Sequence, residues 1–232
     1  EIPLRLVGSE MCIRDRKEQS GVVARSVFSH LVGSDSYIFD DFTKKQLDTF
    51  TRVAAELEAG LEYKVIKHIL NSAGIERFTD YQMDMVRLGI GLYGVSASGQ
   101  KGLRNISTLK TTILQIQNVP AGDSIGYSRM SYVKRDSRIA IIPIGYADGL
   151  DRHFSNGGGE VVINGHRCPI IGNICMDACM IDVTDTDAHE GDSVIIFGEE
   201  LPVSELSDKL KTIPYEILTS ISPRVKRVYY RE

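Results

Sequence analysis

Two hydrophobic patterns that do not belong to one sheet meet near residue 102, and this change constrains the fold more than any other feature of the chain. From about residue 20, strand and helix patterns alternate. "GVVARSVFSHL" is a short β-branched run read as a strand ending at His30. "DDFTKKQLDTFTRVAAELEAG" places Phe42, Leu47, Phe50, Val53, Ala54 and Leu57 at helical spacing, with Gly60 as its expected terminator. "YKVIKHILNSAGI" begins as strand and breaks at Asn71; a short helix then precedes "MVRLGIGLYG", read as a further strand running into a glycine turn. Such alternation implies parallel strands joined by helices, with ligand groups gathered at the strands' C-terminal ends. After "SASGQKG" the segments shorten. "LKTTILQIQNVPAGDSIGY", "SRIAIIPIGYADG", "GEVVINGHRCPIIGNICMDACMIDVT" and "GDSVIIFG" are strands divided by Gly, Asp, Asn and Pro turns. "PVSELSDKLKTIPYEILTSIS" closes the chain with helical segments, Ser204 being the expected N-cap. The expected architecture is α/β plus β: the later part of an α/β barrel over residues 17–101, then a β-rich domain over 102–232.

Composition removes several classes of function. The net charge is -4 with no basic block, so nucleic acid is not an expected partner. No apolar run reaches membrane-spanning length and no signal peptide is visible, so a cytoplasmic protein is expected. Cys12, Cys168, Cys175 and Cys179 form no C-x-x-C pair, which suits reduced thiols. His30, His68, His153, His166 and His189 are scattered, so no metal site is expected. Residues 1–16, "EIPLRLVGSEMCIRDR", show no period and no capping logic and resemble translated sequencing-adapter text; they are read as non-native.

Several residues break their local pattern in ways that suggest chemistry. Arg87 lies in an otherwise apolar run, where an unpaired guanidinium costs several kcal/mol to strip of water. It is either one half of an ion pair, the default on the residues alone, or the partner of an acceptor that must stay unprotonated, such as a ring nitrogen. Gly89 and Ile90 offer backbone N–H groups where a ligand can approach closely, and Ser72 in "NSAGI" offers a hydroxyl beside small residues; together they suit a phosphate. The alternative for each is an ordinary turn at a strand end. Tyr127, Tyr146 and Tyr215 recur in short Gly or Pro contexts. A tyrosine serves as a base only when its pKa falls well below ~10, and otherwise anchors a sheet corner. "GNICMDAC" gives a turn followed by Cys175 and Met176, read as a strand start with a backbone donor, with a metal or redox role as the alternative.

Taken in order, "VRLGIGLYG", "IGYADG", "GNICMD" and the terminal "RVKRVYY" resemble the alanine racemase family over residues 20–232. The resemblance implies the C-terminal part of a TIM-type (β/α)8 barrel followed by a mostly β domain. It implies pyridoxal 5'-phosphate as cofactor, interconversion of L- and D-alanine for bacterial peptidoglycan synthesis, and a homodimer whose sites are shared across the interface. By position it makes Ser72, the backbone of Gly89 and Ile90, and the Tyr215 hydroxyl the phosphate ligands, with Arg87 on the pyridine nitrogen. Tyr127 becomes one of two catalytic bases, in a hydrogen-bond chain with His30 and Arg87. Tyr146 lines the substrate's approach, and the Met176 backbone helps hold the substrate carboxylate.

The same resemblance places the Schiff-base lysine, the second base, on a barrel strand before anything in this sequence, and no lysine here matches its motif. The chain is therefore expected to be a fragment, truncated at its N-terminal side and inactive alone. A related barrel-fold amino-acid decarboxylase is one alternative, although Arg87 and "GNICMD" argue against it. A non-catalytic binding or dimerisation module is another.

Overall fold

The computed structural model describes residues 21, 23–100 and 102–230. The reading of residues 1–16 lies outside the described residues. The chain divides into two compact units, Glu1–Leu103 and Arg104–Glu232.

The first unit is built on strands β1 (Ser26–Phe28) and β2 (Ile66–His68), which pair in parallel with Phe28 opposite His68. Helix α1 (Asp40–Leu61) joins them. Thr43, Leu47, Phe50, Ala54 and Leu61 lie on its buried stripe, and Phe42, expected inside, is half exposed. Leu47, Phe50 and Ala54 pack with Leu31, Ile69, Leu70 and Phe78 into one cluster. Each large apolar side chain there is worth about 1.5–3 kcal/mol of burial. Two acidic residues, Asp40 and Asp41, open the helix where its dipole favours them. It ends on Glu62, left-handed at φ 64°, rather than at Gly60; the Glu62 N–H bonds back to the Glu58 carbonyl.

Helix α2 (Ser72–Arg77) follows β2 directly, so the expected break at Asn71 is its N-cap: the Asn71 side chain accepts from the Gly74 N–H at 3.0 Å. The expected strand through Arg87 does not form a ladder. Asp84 and Arg87 donate to the Lys67 and Leu70 carbonyls, but the Lys67 N–H is taken by the Asp84 carboxylate instead of a backbone acceptor. Gly89 (φ -109°, ψ -101°) then turns the chain into a 3-10 turn at Ile90–Tyr93.

The second unit carries strands β3 (Leu109–Thr112), β4 (Gln115–Val119), β5 (Ser124–Ile125), β6 (Ser131–Tyr132), β7 (Ser137–Ile142), β8 (Glu160–Ile163), β9 (His166–Ile171), β10 (Cys179–Asp182) and β11 (Ser193–Phe197). Seven of them form an antiparallel sheet in the order β3-β11-β8-β9-β10-β7-β4, and β5 pairs with β6 as a separate hairpin. Strand β7 is buried on both faces: Ile139 packs with Ile125 and Val133 on one, and Ile142 lies on the other, the face that also carries the buried Ile163, Ile170, Ile181 and Val194. Helices α3 (Val203–Leu210) and α4 (Pro214–Ser220) follow. Pro202 stands at the N-cap of α3, so Ser204 falls inside the first turn, and Pro214 opens α4 where its missing N–H is harmless. The sheet places the β7–β8 and β9–β10 connections, which carry Tyr146 and Met176, on paired neighbours.

Candidate active-site groups

In the first unit the residues following β2 are drawn together by hydrogen bonds between side chains and backbone. Asn71 is the junction: its side-chain oxygen also accepts from the Ser34 hydroxyl at 2.8 Å, and its NH2 donates to the Leu31 carbonyl at 3.3 Å. The next residue, Ser72, is buried. Its Oγ accepts from the Gly89 N–H at 2.9 Å and the Gly91 N–H at 3.4 Å. A serine oxygen has two lone pairs and one proton, so with both lone pairs engaged the proton is the group left to address a ligand. Ile90, between the two glycines, is buried.

Arg87 answers the question its sequence context raises. Its Nη2 donates to the Ser29 and Ile69 carbonyls at 2.6 and 3.2 Å, and Nη1 to the His68 carbonyl at 3.1 Å and to His68 Nδ1. Its acceptors are main-chain carbonyls and an imidazole, so the ion-pair expectation gives way to a guanidinium fixed by backbone. Burial lowers its pKa from the ordinary arginine value, yet the group remains a cation. His30 Nδ1 lies 3.5 Å from Nη2, at the limit of a hydrogen bond, and the His30 ring is exposed.

His68 was not among the sequence candidates. It is buried, stacked on Phe28 with centroids 5.3 Å apart and planes 6° from parallel. Burial and then the Arg87 charge lower its pKa. A neutral His68 accepting from Arg87 at Nδ1 carries its proton on Nε2. The available signal was positional: a histidine closes β2, as His30 follows β1. Lys67, next to it, points to the other side, where it binds Glu58 at 2.9 Å and Asp84 at 3.3 Å. The hydrogen bond with Glu58 raises its pKa, which keeps it protonated and unsuited to nucleophilic use.

In the second unit three separate sequence motifs converge. Gly145 of "IGYADG" runs against "GNICMD" so closely that a Cβ there would lie 2.3 Å from the Cys175 carbonyl oxygen and 2.4 Å from that of Met176. Two hydrogen bonds tie the segments: Tyr146 N–H to Cys175 O at 3.0 Å and Ala147 N–H to Met176 O at 3.1 Å. Asn173 donates from its side chain to the Tyr127 carbonyl at 3.0 Å, which brings the third motif in. Tyr127 sits in a turn with unusual backbone: Gly126, Ser128 and Arg129 have φ of 72°, 64° and 49°. Left-handed non-glycine residues cost about 1 kcal/mol or more each and cluster at functional sites. The Tyr127, Tyr146 and Met176 side chains are exposed. Tyr215 lies in the first turn of α4 and is partly exposed. Cys175 takes part in the turn through its N–H to the Ala178 carbonyl. Burial lifts the thiols of Cys168 and Cys179 to about 11 and about 12, so both stay unreactive.

Two family models match the chain in tandem: the alanine racemase N-terminal domain over residues 9–97 and the alanine racemase C-terminal domain over residues 106–229. The chain belongs to the alanine racemase family. Among its relatives, "Alanine racemase 2" of Caldanaerobacter subterraneus subsp. tengcongensis is 40% identical over 230 residues, covering 95% of this chain and 59% of that protein. A solved alanine racemase from Bartonella henselae with covalently bound pyridoxal phosphate superimposes with a TM-score of 0.85 at 36% identity, over 96% of this chain and 61% of that one. An alanine racemase of Clostridium difficile 630 in complex with cycloserine gives 0.85 at 34% identity, over 93% and 60%. This chain thus spans about three-fifths of the length of the alanine racemases it matches.

Proposed function

We propose that the whole protein interconverts L- and D-alanine with pyridoxal 5'-phosphate, and that this chain supplies the cofactor's phosphate cradle and one of the two proton-transfer groups. The observation that carries this reading is Ser72: a buried hydroxyl held by two glycine amides, on a segment that also contains Arg87. Hydroxyl, amide and guanidinium donors suit an anionic phosphate and a ring nitrogen acceptor, so the residues fit the cofactor. When bound, the cofactor supplies the electron sink that makes the α-proton of alanine removable.

The remaining steps belong to residues of this chain. Ser72 would hold a phosphate oxygen through its hydroxyl hydrogen, with the Ile90 backbone as a further donor. The Gly89 N–H already bonds to Ser72, so Gly89 acts by fixing that hydroxyl. Arg87 donates to the ring nitrogen and cannot protonate it, and its orientation is set by the Ser29, His68 and Ile69 carbonyls. Tyr127 moves a proton at the substrate α-carbon, with His30 linking it to Arg87. Tyr146 lines the substrate's approach and the Met176 backbone holds the carboxylate. These three act in the site of a second copy of the chain, so each site needs a dimer. The second base is a lysine whose motif no lysine of this sequence matches; Lys67, near the cluster, is held by two carboxylates.

Titrating the chain with pyridoxal phosphate and with pyridoxal, followed by phosphorus NMR and absorbance, tests this reading. The phosphate form is expected to bind at least ten-fold more tightly, and Ser72→Ala to remove most of that difference, as the loss of a hydrogen bond to a charged group of ~1.5–3 kcal/mol requires. The chain alone is expected to bind without racemising alanine. Equal affinity for the two forms, with Ser72→Ala silent, would sink the cradle.

A further inference from the structure

Arg224 is the first residue of "RVKRVYY", and the structure gives it a position that its sequence does not announce. Its Nε donates to Asp148 Oδ1 at 2.7 Å and its Nη2 to Asp177 Oδ1 at 2.5 Å. Asp148 closes the "IGYAD" turn and Asp177 follows Met176, so one guanidinium bridges the two segments that carry Tyr146 and Met176.

The bridge is embedded in backbone structure on both sides. The other oxygen of Asp148 accepts the Gly145 N–H at 2.9 Å, and the Asp148 carbonyl accepts the Ser222 N–H at 3.0 Å. Beside it, a Cβ on Gly149 would lie 2.5 Å from the Ser220 carbonyl oxygen, so the end of α4 is pressed against the same turn. The Val225 N–H returns to the Ser222 carbonyl, which fixes the chain around Arg224 itself. An exposed ion pair alone contributes little. Here the Asp148 side chain is only 14% exposed and each of its oxygens has a different partner. Burial pushes its carboxyl up, but Arg224 and the Gly145 amide outweigh that and hold it below the usual carboxylate range.

We propose that Arg224 is a positioning residue: it clamps the Tyr146 and Met176 segments at a fixed separation, so that both reach the substrate together. The substrate role of those segments rests on the function proposed above, whereas the clamp itself does not. Two-point bridging from different nitrogens is a property of the planar guanidinium that a lysine ammonium does not reproduce.

The clamp is read by amide hydrogen exchange at Tyr146 and Ala147 and by the methyl resonance of Met176, with the Met180 methyl and the β7 and β10 amides as internal references. In the parent chain the Arg224 Nε–H, bonded to Asp148, is expected to give a slowly exchanging signal. Arg224→Met is expected to speed exchange at Tyr146 and Ala147 at least ten-fold and to move the Met176 methyl, leaving Met180 and the sheet amides unchanged. Arg224→Lys is expected to recover less than half of the protection. Should Arg224→Met fail to fold, Asp177→Ala removes one arm at an exposed carboxylate and must still speed exchange at Tyr146 and Ala147. Unchanged exchange, a uniform rise across the sheet, or full recovery with lysine overturns the clamp. The measurement uses neither cofactor nor alanine. A failed pyridoxal phosphate titration therefore removes the substrate role and leaves the clamp standing, while unchanged exchange removes the clamp whatever the titration gives.

Discussion

Gly145→Ala is the sharpest perturbation of the second unit. Gly145 has φ -146°, ordinary extended backbone, so an alanine there suffers no conformational penalty. All of the expected effect is steric. The added Cβ would meet the Cys175 oxygen at 2.3 Å, the Met176 oxygen at 2.4 Å and the Met176 carbonyl carbon at 2.6 Å. These are backbone atoms, so no side chain can swing away, and the two segments must separate. Separation breaks the Tyr146–Cys175 and Ala147–Met176 hydrogen bonds, each worth ~1 kcal/mol net. Overpacking adds about 1–3 kcal/mol where relief is incomplete. The expected loss is about 2–5 kcal/mol, which for a unit of this size lowers its melting temperature by roughly 8–20 °C.

Urea and thermal unfolding followed by circular dichroism measure this, with Gly165→Ala as the control. Gly165 sits at φ 77° with nothing within 4 Å of a built Cβ, so its substitution carries backbone strain alone, about 1 kcal/mol. If Gly145→Ala loses no more stability than Gly165→Ala, the close approach of the two motifs is not what the glycine serves.

His68 gives a pH dependence with a definite sign. Its folded pKa is depressed by burial and by Arg87, so between that value and the unfolded one near ~6.5 the unfolded chain binds the extra proton. Stability of the first unit is therefore full above ~6.5 and falls as pH drops from there towards the folded pKa. His68→Gln should flatten that limb of a urea-midpoint profile between pH 7 and 5, and an unaltered slope would refute the assignment. Asn71→Ala should cost the first unit about 1–3 kcal/mol in urea unfolding, because it removes an N-cap and leaves the Ser34 hydroxyl and Leu31 carbonyl without that partner. Asn71→Asp keeps the acceptor and should lose less; equal losses would show that the cap is not the main term.

How far the site was legible in the sequence depended on whether a residue broke a local rule. Arg87 did, as a charge in an apolar run, and so did Gly89, as a glycine in a strand-forming run, whereas Gly145 stood unremarked beside Tyr146 in "IGYADG". What Arg87 binds was not legible, because its acceptors are the carbonyls of Ser29, His68 and Ile69, and a carbonyl has no sequence identity. That the Asp84 carboxylate takes the place of a ladder partner was not legible either, so the run from Met85 read as strand and instead lies beside β2 without a ladder. Arg224, Asp148 and Asp177 were silent for a different reason. Each is a single charged residue at a turn or near the chain's end, and the pairs are 76 and 47 residues apart. Periodicity reports which face of an element is buried; it carries nothing about which two loops a fold brings within 3 Å. "IGYADG", "GNICMD" and "RVKRVYY" therefore read as three separate motifs. The geometry that makes them one object is a glycine too tight for a methyl group and a guanidinium between two carboxylates. Such a cluster can be lost through any of its parts, which is why the Gly145 and Arg224 substitutions should disturb the same amides from opposite sides.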